Sequence, residues 1–172
     1  MVTLPSAPTV AVTRFGNVYG GGDLNLSRIV PGTIRALLLG ESPVIRSDGT
    51  MTRDYLYVED VAAGYLRLAE ALDDSSLFGQ VFNFSGDTHL TVLEIVARIS
   101  ELMGCAHVKP EIRNTARADI LHQHLSSAKA HRILGWKTEV SIDEGLRRTI
   151  AWYRCCLGKN PSPARPDPEE PT

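Results

Sequence analysis

The stretches Val10-Ala11-Val12-Thr13-Arg14-Phe15 and Val81-Phe82-Asn83-Phe84 decide the fold class of this chain of 172 residues. Both are short and rich in β-branched and aromatic residues, which favour extended structure. In the first stretch the apolar side chains do not alternate with polar ones. That pattern predicts a strand buried on both faces, as in a parallel sheet. We therefore expect the two stretches to be neighbouring parallel strands.

Helical patterns separate the extended segments. Thr91-x-x-Glu94 and Ser141-x-x-Glu144 have capping-box spacing and predict helix starts, whereas Gly104 and Gly135 predict helix ends. Residues 16–25 read as a glycine-rich loop. Five helices are expected, at about 27–39, 59–72, 91–103, 126–134 and 141–157, and further extended segments at 44–46, 53–58 and 108–113. Strands that alternate with helices indicate an α/β fold.

The predicted sheet is incomplete. Two parallel strands alone do not form a stable sheet, because a parallel sheet needs both faces covered and usually has several strands. The sequence therefore predicts part of a larger sheet whose other strands lie elsewhere.

Composition narrows the class of protein. The net charge is −2, from 18 Lys and Arg against 20 Asp and Glu, which argues against a dedicated nucleic-acid or membrane-surface protein. No apolar stretch reaches about 18 residues, so no membrane span is expected, and residues 1–15 lack the pattern of a signal peptide. Three cysteines without paired spacing favour the cytoplasm.

The two ends of the chain differ from its middle. Residues 1–8 are expected to be a loose N-terminus. Residues 159–172 hold five prolines and no large apolar residue, which predicts a disordered tail. Residues 9–158 are expected to form one ordered region.

The glycine-rich loop Gly20-Gly21-Gly22-Asp23 follows a strand and invites a phosphate-binding interpretation. It departs from the dinucleotide fingerprint G-x-G-x-x-G, because the sixth position is Asn25. A loop that lets a substrate approach the backbone is the better interpretation. His122-x-His124 could chelate a metal, but no supporting ligand cluster is visible, and hydrogen-bonding histidines are favoured.

Chemistry by a tyrosine base is not expected. No tyrosine in the chain has a lysine four positions later, so the helical pair that lowers a tyrosine pKa is absent from the sequence. We therefore predict no catalytic residue and no metal ligand in this chain.

Arginines at special positions are the main candidates for binding. A guanidinium offers a planar pair of donors that matches a phosphate. Arg53 precedes an apolar strand, so its backbone is anchored while its head can turn into a cleft; an ion pair with Asp54 or Glu59 is the alternative. The other candidates are Arg14, Arg28, Arg46 and Arg117.

Four motifs, in this order and spacing, resemble the C-terminal half of the extended short-chain dehydrogenase/reductase family. They are Arg14-Phe15-Gly16-Asn17-Val18-Tyr19-Gly20, Arg53-Asp54-Tyr55-Leu56-Tyr57-Val58-Glu59-Asp60, Phe82-Asn83-Phe84-Ser85-Gly86 and Leu134-Gly135-Trp136. Residues 20–25 and 28–33 most resemble CDP-glucose 4,6-dehydratases and related GDP-mannose 4,6-dehydratases. The resemblance implies the C-terminal part of an extended Rossmann-type fold, namely its last parallel strands plus a small α/β substrate-binding domain.

The resemblance also implies roles for single residues. Asn17 and Arg53 match residues that hold the diphosphate of a sugar nucleotide, and Arg28 matches a basic residue near the nucleotide. Arg46 stands where relatives place a residue against the base, and Arg117 lies near a second phosphate- or ribose-binding arginine. Phe15 stands where the family backbone passes the nicotinamide of NAD.

The implied function is the sugar-nucleotide-binding half of an NAD-dependent dehydratase acting on a CDP-glucose-like nucleoside-diphosphate hexose. The family's cofactor fingerprint and Tyr-x-x-x-Lys pair have no counterpart in the chain, so we expect it to be inactive alone. Alternatives are a 4-epimerase half and a non-catalytic sugar-nucleotide-binding module. Self-association through an unpaired sheet edge is also expected.

Overall fold

The computed structural model describes residues 10–115 and 120–157. The predicted loose N-terminus (1–8), the predicted tail (159–172) and Arg117 lie outside the described residues. The proposal that residues 9–158 form one substrate-binding region stays a prediction.

The described residues form an α/β structure. The strands are β1 (Val12–Phe15), β2 (Asn17–Tyr19), β3 (Val44–Ile45), β4 (Thr52–Tyr57), β5 (Val81–Phe84), β6 (His89–Thr91) and β7 (Glu111–Ile112). The helices are α1 (Ile29–Leu38), α2 (Val58–Ala71), α3 (Val92–Leu102), α4 (Ala128–Leu134) and α5 (Ile142–Leu157), with a short 3₁₀ helix at Ser75–Leu77. In the part of the chain that these coordinates cover, no helix is both long and apolar enough to cross a bilayer.

The first sheet consists of β1 and β5, which pair in parallel with Val12 opposite Val81 and Phe15 opposite Phe84. The predicted neighbourhood of these strands is confirmed. The expected burial of β1 on both faces is wrong for this chain, since Val12 remains 42% exposed. Among the described residues no other strand pairs with β1, so its second edge is uncovered.

The second sheet has the order β2-β4-β6 and was predicted only in part. Asn17 of β2 lies opposite Tyr55 of β4 in a parallel pair, and β6 runs antiparallel to β4. The sequence placed residues 17–19 in a loop, because three residues bounded by glycines give too short a pattern to identify a strand. A third, two-stranded pair joins β3 and β7 in parallel.

Gly16 is the junction between the first two sheets. Its N–H group donates to the carbonyl of Phe84 at 3.3 Å, and the next residue already belongs to β2. A Cβ at this position would lie 2.5 Å from the backbone oxygen of Asp54, so only glycine fits. The Asp54 carboxylate is buried and accepts a hydrogen bond from the N–H of Gly86 at 3.0 Å.

Two hydrophobic clusters stabilise the fold. The cleft-side cluster combines α1, β4, α3 and α5 and includes Ile34, Tyr55, Ile95, Leu146 and Tyr153. The β1-side cluster combines β4, α2, β5 and α4 and includes Leu56, Leu68, Phe82, Phe84 and Trp136. Successive residues of β4, such as Tyr55 and Leu56, point into different clusters, as the alternation of side chains in a strand requires.

The predicted helix ends are largely confirmed. Thr91 and Glu94 form a capping box at the start of α3, and Gly135 ends α4 in the left-handed conformation with φ 63°. Ser141 Oγ accepts from the N–H of Glu144 at 3.3 Å at the start of α5. These local signals fix where α3 and α5 begin and where α4 ends.

Candidate functional site

An open cleft of about 1530 Å³ lies between the N-terminal end of α1, the strands β2 and β4, and the segments that flank β3 and β7. Four of the six predicted site residues line it: Asn17, Arg28, Arg46 and Arg53. Their positions are spread over 37 residues of sequence, so the fold has to bring them together. Phe15 does not line this cleft, and Arg117 is not among the described residues.

The cleft is positively charged although the chain is not. Among the described residues, its lining contains five arginines and two carboxylates, a net charge of +3, against −2 for the whole sequence. The arginines are Arg28, Arg35, Arg46, Arg53 and Arg113, and the carboxylates are Asp23 and Glu41. A concave surface with this excess attracts anions.

Arg28 lies at the start of α1, where it is the residue that precedes the first helical turn. Its guanidinium donates to Asp23 Oδ2 at 3.0 Å and to the backbone oxygen of Val18 at 3.2 Å. No side chain caps this helix end, and the first turn contains no acidic residue. The helix N-terminus therefore adds partial positive charge to the cleft beside Arg28.

Arg53 is held by backbone oxygens. Its Nη1 donates to the carbonyl of Thr52 at 2.9 Å and to that of Ile120 at 2.6 Å. The carboxylates named as alternative partners are engaged elsewhere: Asp54 accepts from Gly86, and Glu59 pairs with Arg148 at 2.8 Å. Arg53 thus lines the cleft in an orientation set by two segments of the chain.

Arg46 follows β3 and is exposed. Its Nη2 donates to the backbone oxygen of Ser27 at 3.0 Å. In the described part of the chain, no carboxylate lies within ion-pair distance of Arg46. Because the side chain is exposed, its planar guanidinium can serve as a stacking surface.

Asn17 is the first residue of β2 and lies directly after the junction at Gly16. Its strand is paired with β4 through Tyr55, so the backbone of Asn17 is fixed. A short amide side chain on a fixed strand end can donate to an oxygen in the cleft.

Phe15 lies on the opposite side of the junction. Its ring stacks on Phe84 with a centroid distance of 5.0 Å and contacts Tyr65 at the same distance. The side chain belongs to the β1-side cluster. The predicted nicotinamide contact of Phe15 concerns its backbone, and it stays a prediction.

The histidines form hydrogen bonds with one another and with β4. Thr52 Oγ1 lies 2.9 Å from His122 Nδ1, and His124 Nδ1 lies 2.9 Å from His89 Nδ1. Across residues 10–115 and 120–157, no group of three or more His, Cys, Asp or Glu side chains is placed to hold a metal ion. These contacts fasten the segment that contains Ile120 to the second sheet, next to Arg53.

Sequence reasoning missed the contacts that hold the glycine-rich loop. A Cβ on Gly21 would lie 2.5 Å from Cγ of Trp152, so the loop backbone rests on this indole ring. The hydroxyl of Tyr153 donates to the backbone oxygen of Asp23. Because 130 residues separate these partners, no local pattern indicates the contact.

This loop does not form a dinucleotide site by itself. Gly21 is occupied by its contact with Trp152, and Asp23 uses its carboxylate for Arg28 and for the N–H of Asn25. The interpretation of Gly20-Gly21-Gly22-Asp23 as a loop on the substrate side stays a prediction.

Comparisons with known proteins agree with this geometry. The family model of the NAD dependent epimerase/dehydratase family matches residues 8–84. The dTDP-glucose 4,6-dehydratase of Haemophilus influenzae is 31% identical over 157 residues, which cover 84% of this chain and 44% of that protein. The UDP-glucuronate 4-epimerase of Thermodesulfobacterium geofontis is 29% identical, with 84% and 43% covered. The chain thus spans about half the length of the curated relatives it matches.

Solved structures show the same partial match. UDP-glucose 4-epimerase of Thermotoga maritima, solved with UDP-glucose, superposes with a TM-score of 0.76 at 30% identity and is covered over 46% of its length. The NAD-bound dTDP-glucose 4,6-dehydratase DesIV of Streptomyces venezuelae has a TM-score of 0.79 at 24% identity, which supports the fold alone. In sequence and in fold the chain is thus similar to part of the NAD dependent epimerase/dehydratase family.

Proposed function

We propose that the cleft binds a nucleoside-diphosphate hexose and that the chain is the sugar-nucleotide-binding half of an NAD-dependent nucleotide-sugar 4,6-dehydratase. The observation that carries the proposal is the net charge of +3 that the described residues give the cleft, from five arginines and two carboxylates, together with the N-terminal end of α1. A diphosphate carries the opposite charge, and arginines and helix N-termini are the groups that bind phosphate best.

In this proposal each predicted site residue has one role. Arg53, Arg28 and Asn17 bind the diphosphate, because they lie on three different elements around one cleft. Arg46 stacks on the base with its exposed guanidinium face. Arg117 contributes a further phosphate or ribose contact, and the backbone at Phe15 contacts the nicotinamide.

These residues position the substrate and do not react with it. In the proposed whole enzyme the sugar is oxidised at carbon four with NAD as the oxidant, loses water across carbons five and six, and regains the hydride. The chain has no tyrosine followed four residues later by lysine and no G-x-G-x-x-G sequence, so another stretch of polypeptide supplies these groups. Its own contribution is to hold the hexose in a reactive position.

The nature of the substrate rests on the glycine-rich motif. Residues 20–25 and 28–33 resemble those of CDP-glucose 4,6-dehydratases, which supports CDP-glucose as the substrate. The similarity to UDP-glucose 4-epimerase of Thermotoga maritima favours a second candidate function, a 4-epimerase half acting on a UDP-sugar. Calorimetry with CDP-, UDP-, dTDP- and GDP-glucose distinguishes these substrates by their relative affinities.

Titration of the purified chain tests the binding function directly. We expect heat of binding with CDP-glucose and weaker binding with CMP, which lacks the second phosphate and the glucose. Replacing Arg53 by Gln removes charged hydrogen bonds worth about 1.5–3 kcal/mol, so affinity should fall about 10- to 150-fold. Arg67→Gln, on the exposed face of α2, is the matched control and should leave affinity unchanged. Absence of heat at millimolar CDP-glucose would contradict the proposal.

An activity assay tests whether the chain binds the substrate without catalysing the reaction. The purified 172-residue chain with NAD and CDP-glucose should form no 4-keto-6-deoxy sugar. Measurable turnover would show that the chain has catalytic groups of its own.

Two further properties belong to the proposal. The three cysteines, Cys105, Cys155 and Cys156, carry free thiols, which supports a reducing cytoplasmic location. The uncovered edge of β1 supports association with a second polypeptide or a second copy of the chain.

A further inference from the structure

Two consecutive residues of α5 hold the glycine-rich loop of the cleft. Trp152 lies beneath Gly21, which has no Cβ to collide with the indole. Tyr153, whose side chain is buried in the cleft-side cluster and only 1% exposed, donates its hydroxyl hydrogen bond to the backbone oxygen of Asp23. A residue on the last helix therefore fixes a loop that lies near the start of the chain.

The Tyr153 hydroxyl is a permanent donor. Burial raises its pKa to about 12, and the neighbouring Asp23 charge adds to the effect. The phenol is consequently protonated at neutral pH and can donate to the Asp23 oxygen. Since the ring is packed among apolar side chains, the donor cannot follow the loop if the loop moves.

Asp23 transmits this restraint to Arg28. Its carboxylate accepts from the N–H of Asn25 at 3.0 Å through Oδ1 and from Arg28 Nη1 at 3.0 Å through Oδ2. The second terminal nitrogen of Arg28 donates to the carbonyl of Val18 at 3.2 Å, which fixes the plane of the guanidinium. Because both terminal nitrogens of Arg28 are hydrogen-bonded, the orientation of its guanidinium depends on the position of Asp23.

We propose that Tyr153 is a positioning residue of the cleft, which sets the position of Asp23 and thereby aims the Arg28 guanidinium at the phosphates of the ligand. The inference rests on the proposed function for the role of the ligand, but the restraint of Arg28 itself does not require a ligand. Tyr153 does not touch the substrate, since it is not one of the residues that line the cleft.

The first experiment needs no ligand. In the ¹⁵N-labelled chain, the guanidinium of Arg28 should give resolved, slowly rotating Nη signals, which are assigned by their loss in Arg28→Gln. Tyr153→Phe removes one oxygen and keeps the ring, and should merge these signals through faster rotation about the Cζ–Nε bond. Arg98, which is paired with Asp143, serves as an internal reference whose signals should not change. Unchanged Arg28 signals in Tyr153→Phe would overturn the inference.

The second experiment is a double-mutant cycle with CDP as the probe. Tyr153→Phe should weaken CDP binding about fivefold in the otherwise unchanged chain and less than about twofold in the Arg28→Gln background. A residue that acts only through general stability would weaken binding equally in both backgrounds, and that result would overturn the inference. Tyr57→Phe removes another tyrosine hydroxyl, bonded to Glu59 outside the cleft, and should have no effect on affinity.

Asp23→Asn provides an independent variant. It retains the backbone oxygen that Tyr153 binds but removes the ion pair with Arg28, so it should loosen the Arg28 signals while the tyrosine remains in place. If Asp23→Asn left the Arg28 signals unchanged, Asp23 would not be the link and the inference would fail. If the unchanged chain bound no CDP, the proposed function would fail, and the spectra of Arg28 would still decide whether Tyr153 positions it.

Discussion

Two of the sheets, β1-β5 and β2-β4-β6, differ in how complete they are. The β2-β4-β6 sheet has α1, α3 and α5 packed in one cluster with it, and its core residues, such as Tyr55 and Ile95, are fully enclosed. The β1-β5 sheet is covered by α2 and α4 on one side, but β1 leaves Val10 and Val12 exposed. The difference teaches that the cleft is built on the more fully packed sheet, whereas among the described residues one edge of the other sheet stays uncovered.

The largest expected effect is on the free energy of unfolding, and it tests whether the cleft-side cluster contributes most of the stability of the chain. Ile95→Ala opens a cavity in the cleft-side cluster, where Ile95 is 0% exposed, and should lower the free energy of unfolding by about 3 kcal/mol. Val12→Ala, on the exposed strand, should cost less than about 0.5 kcal/mol. Urea unfolding followed by circular dichroism measures both. Equal losses of unfolding free energy in the two variants would show that the two sheets contribute equally to stability.

A smaller, pH-dependent effect is expected at the junction between the sheets. Burial raises the pKa of the Asp54 carboxyl, and hydrogen bonds from Ser85 and Gly86 offset part of the rise. A raised pKa in the folded state contributes stability that is present below the unfolded value of 3.8 and is lost as the pH rises through the folded pKa. Asp54→Asn does not ionise and should escape this loss.

The prediction therefore concerns the difference in the free energy of unfolding between Asp54→Asn and the unchanged chain as a function of pH. Relative to the unchanged chain, Asp54→Asn should become progressively more stable as the pH rises from about 4 to 7, measured by urea unfolding at each pH. The difference cancels contributions from the other carboxylates. A constant difference over this range would mean that the Asp54 carboxyl is not desolvated.

The smallest effect on stability is expected at the open edge, where association should change instead. Val12→Lys places a charge on the uncovered strand and should shift the chain toward monomer in light scattering, with a change in unfolding free energy within about 0.5 kcal/mol. Leu66→Lys, on the exposed face of α2, is the matched control and should leave association unchanged. A wild-type chain that is already monomeric would contradict the edge prediction.

Local signals account for much of what the sequence predicted correctly. The strand at Val81–Phe84 and the capping box at Thr91 follow from composition and spacing within a few residues, and the structure confirms both. The strand at Asn17–Tyr19 was missed because its stability comes from pairing with β4, which lies almost 40 residues away. Tertiary pairing overrides the weak preference of three residues.

The cleft was predictable in its chemistry and not in its geometry. Arginines at element boundaries indicated phosphate binding, and the fold places Arg28, Arg46 and Arg53 around one cleft. The exposed state of Val12 could not be predicted, because an unbroken apolar pattern indicates burial and carries no information on which strands actually lie beside it. The role of Tyr153 could not be predicted either, since an apolar helix face gives no sign that its hydroxyl reaches Asp23.

Gly16 leaves the polypeptide no room to bend where it passes from one sheet to the other. Its neighbours on both sides are held in parallel strands, and the oxygen of Asp54 closes the space that a pivot would need. The separation between Phe15 and Asn17 is consequently fixed. A change in the width of the cleft would therefore have to come from residues 23–28, which line it without belonging to a paired strand, and not from this junction.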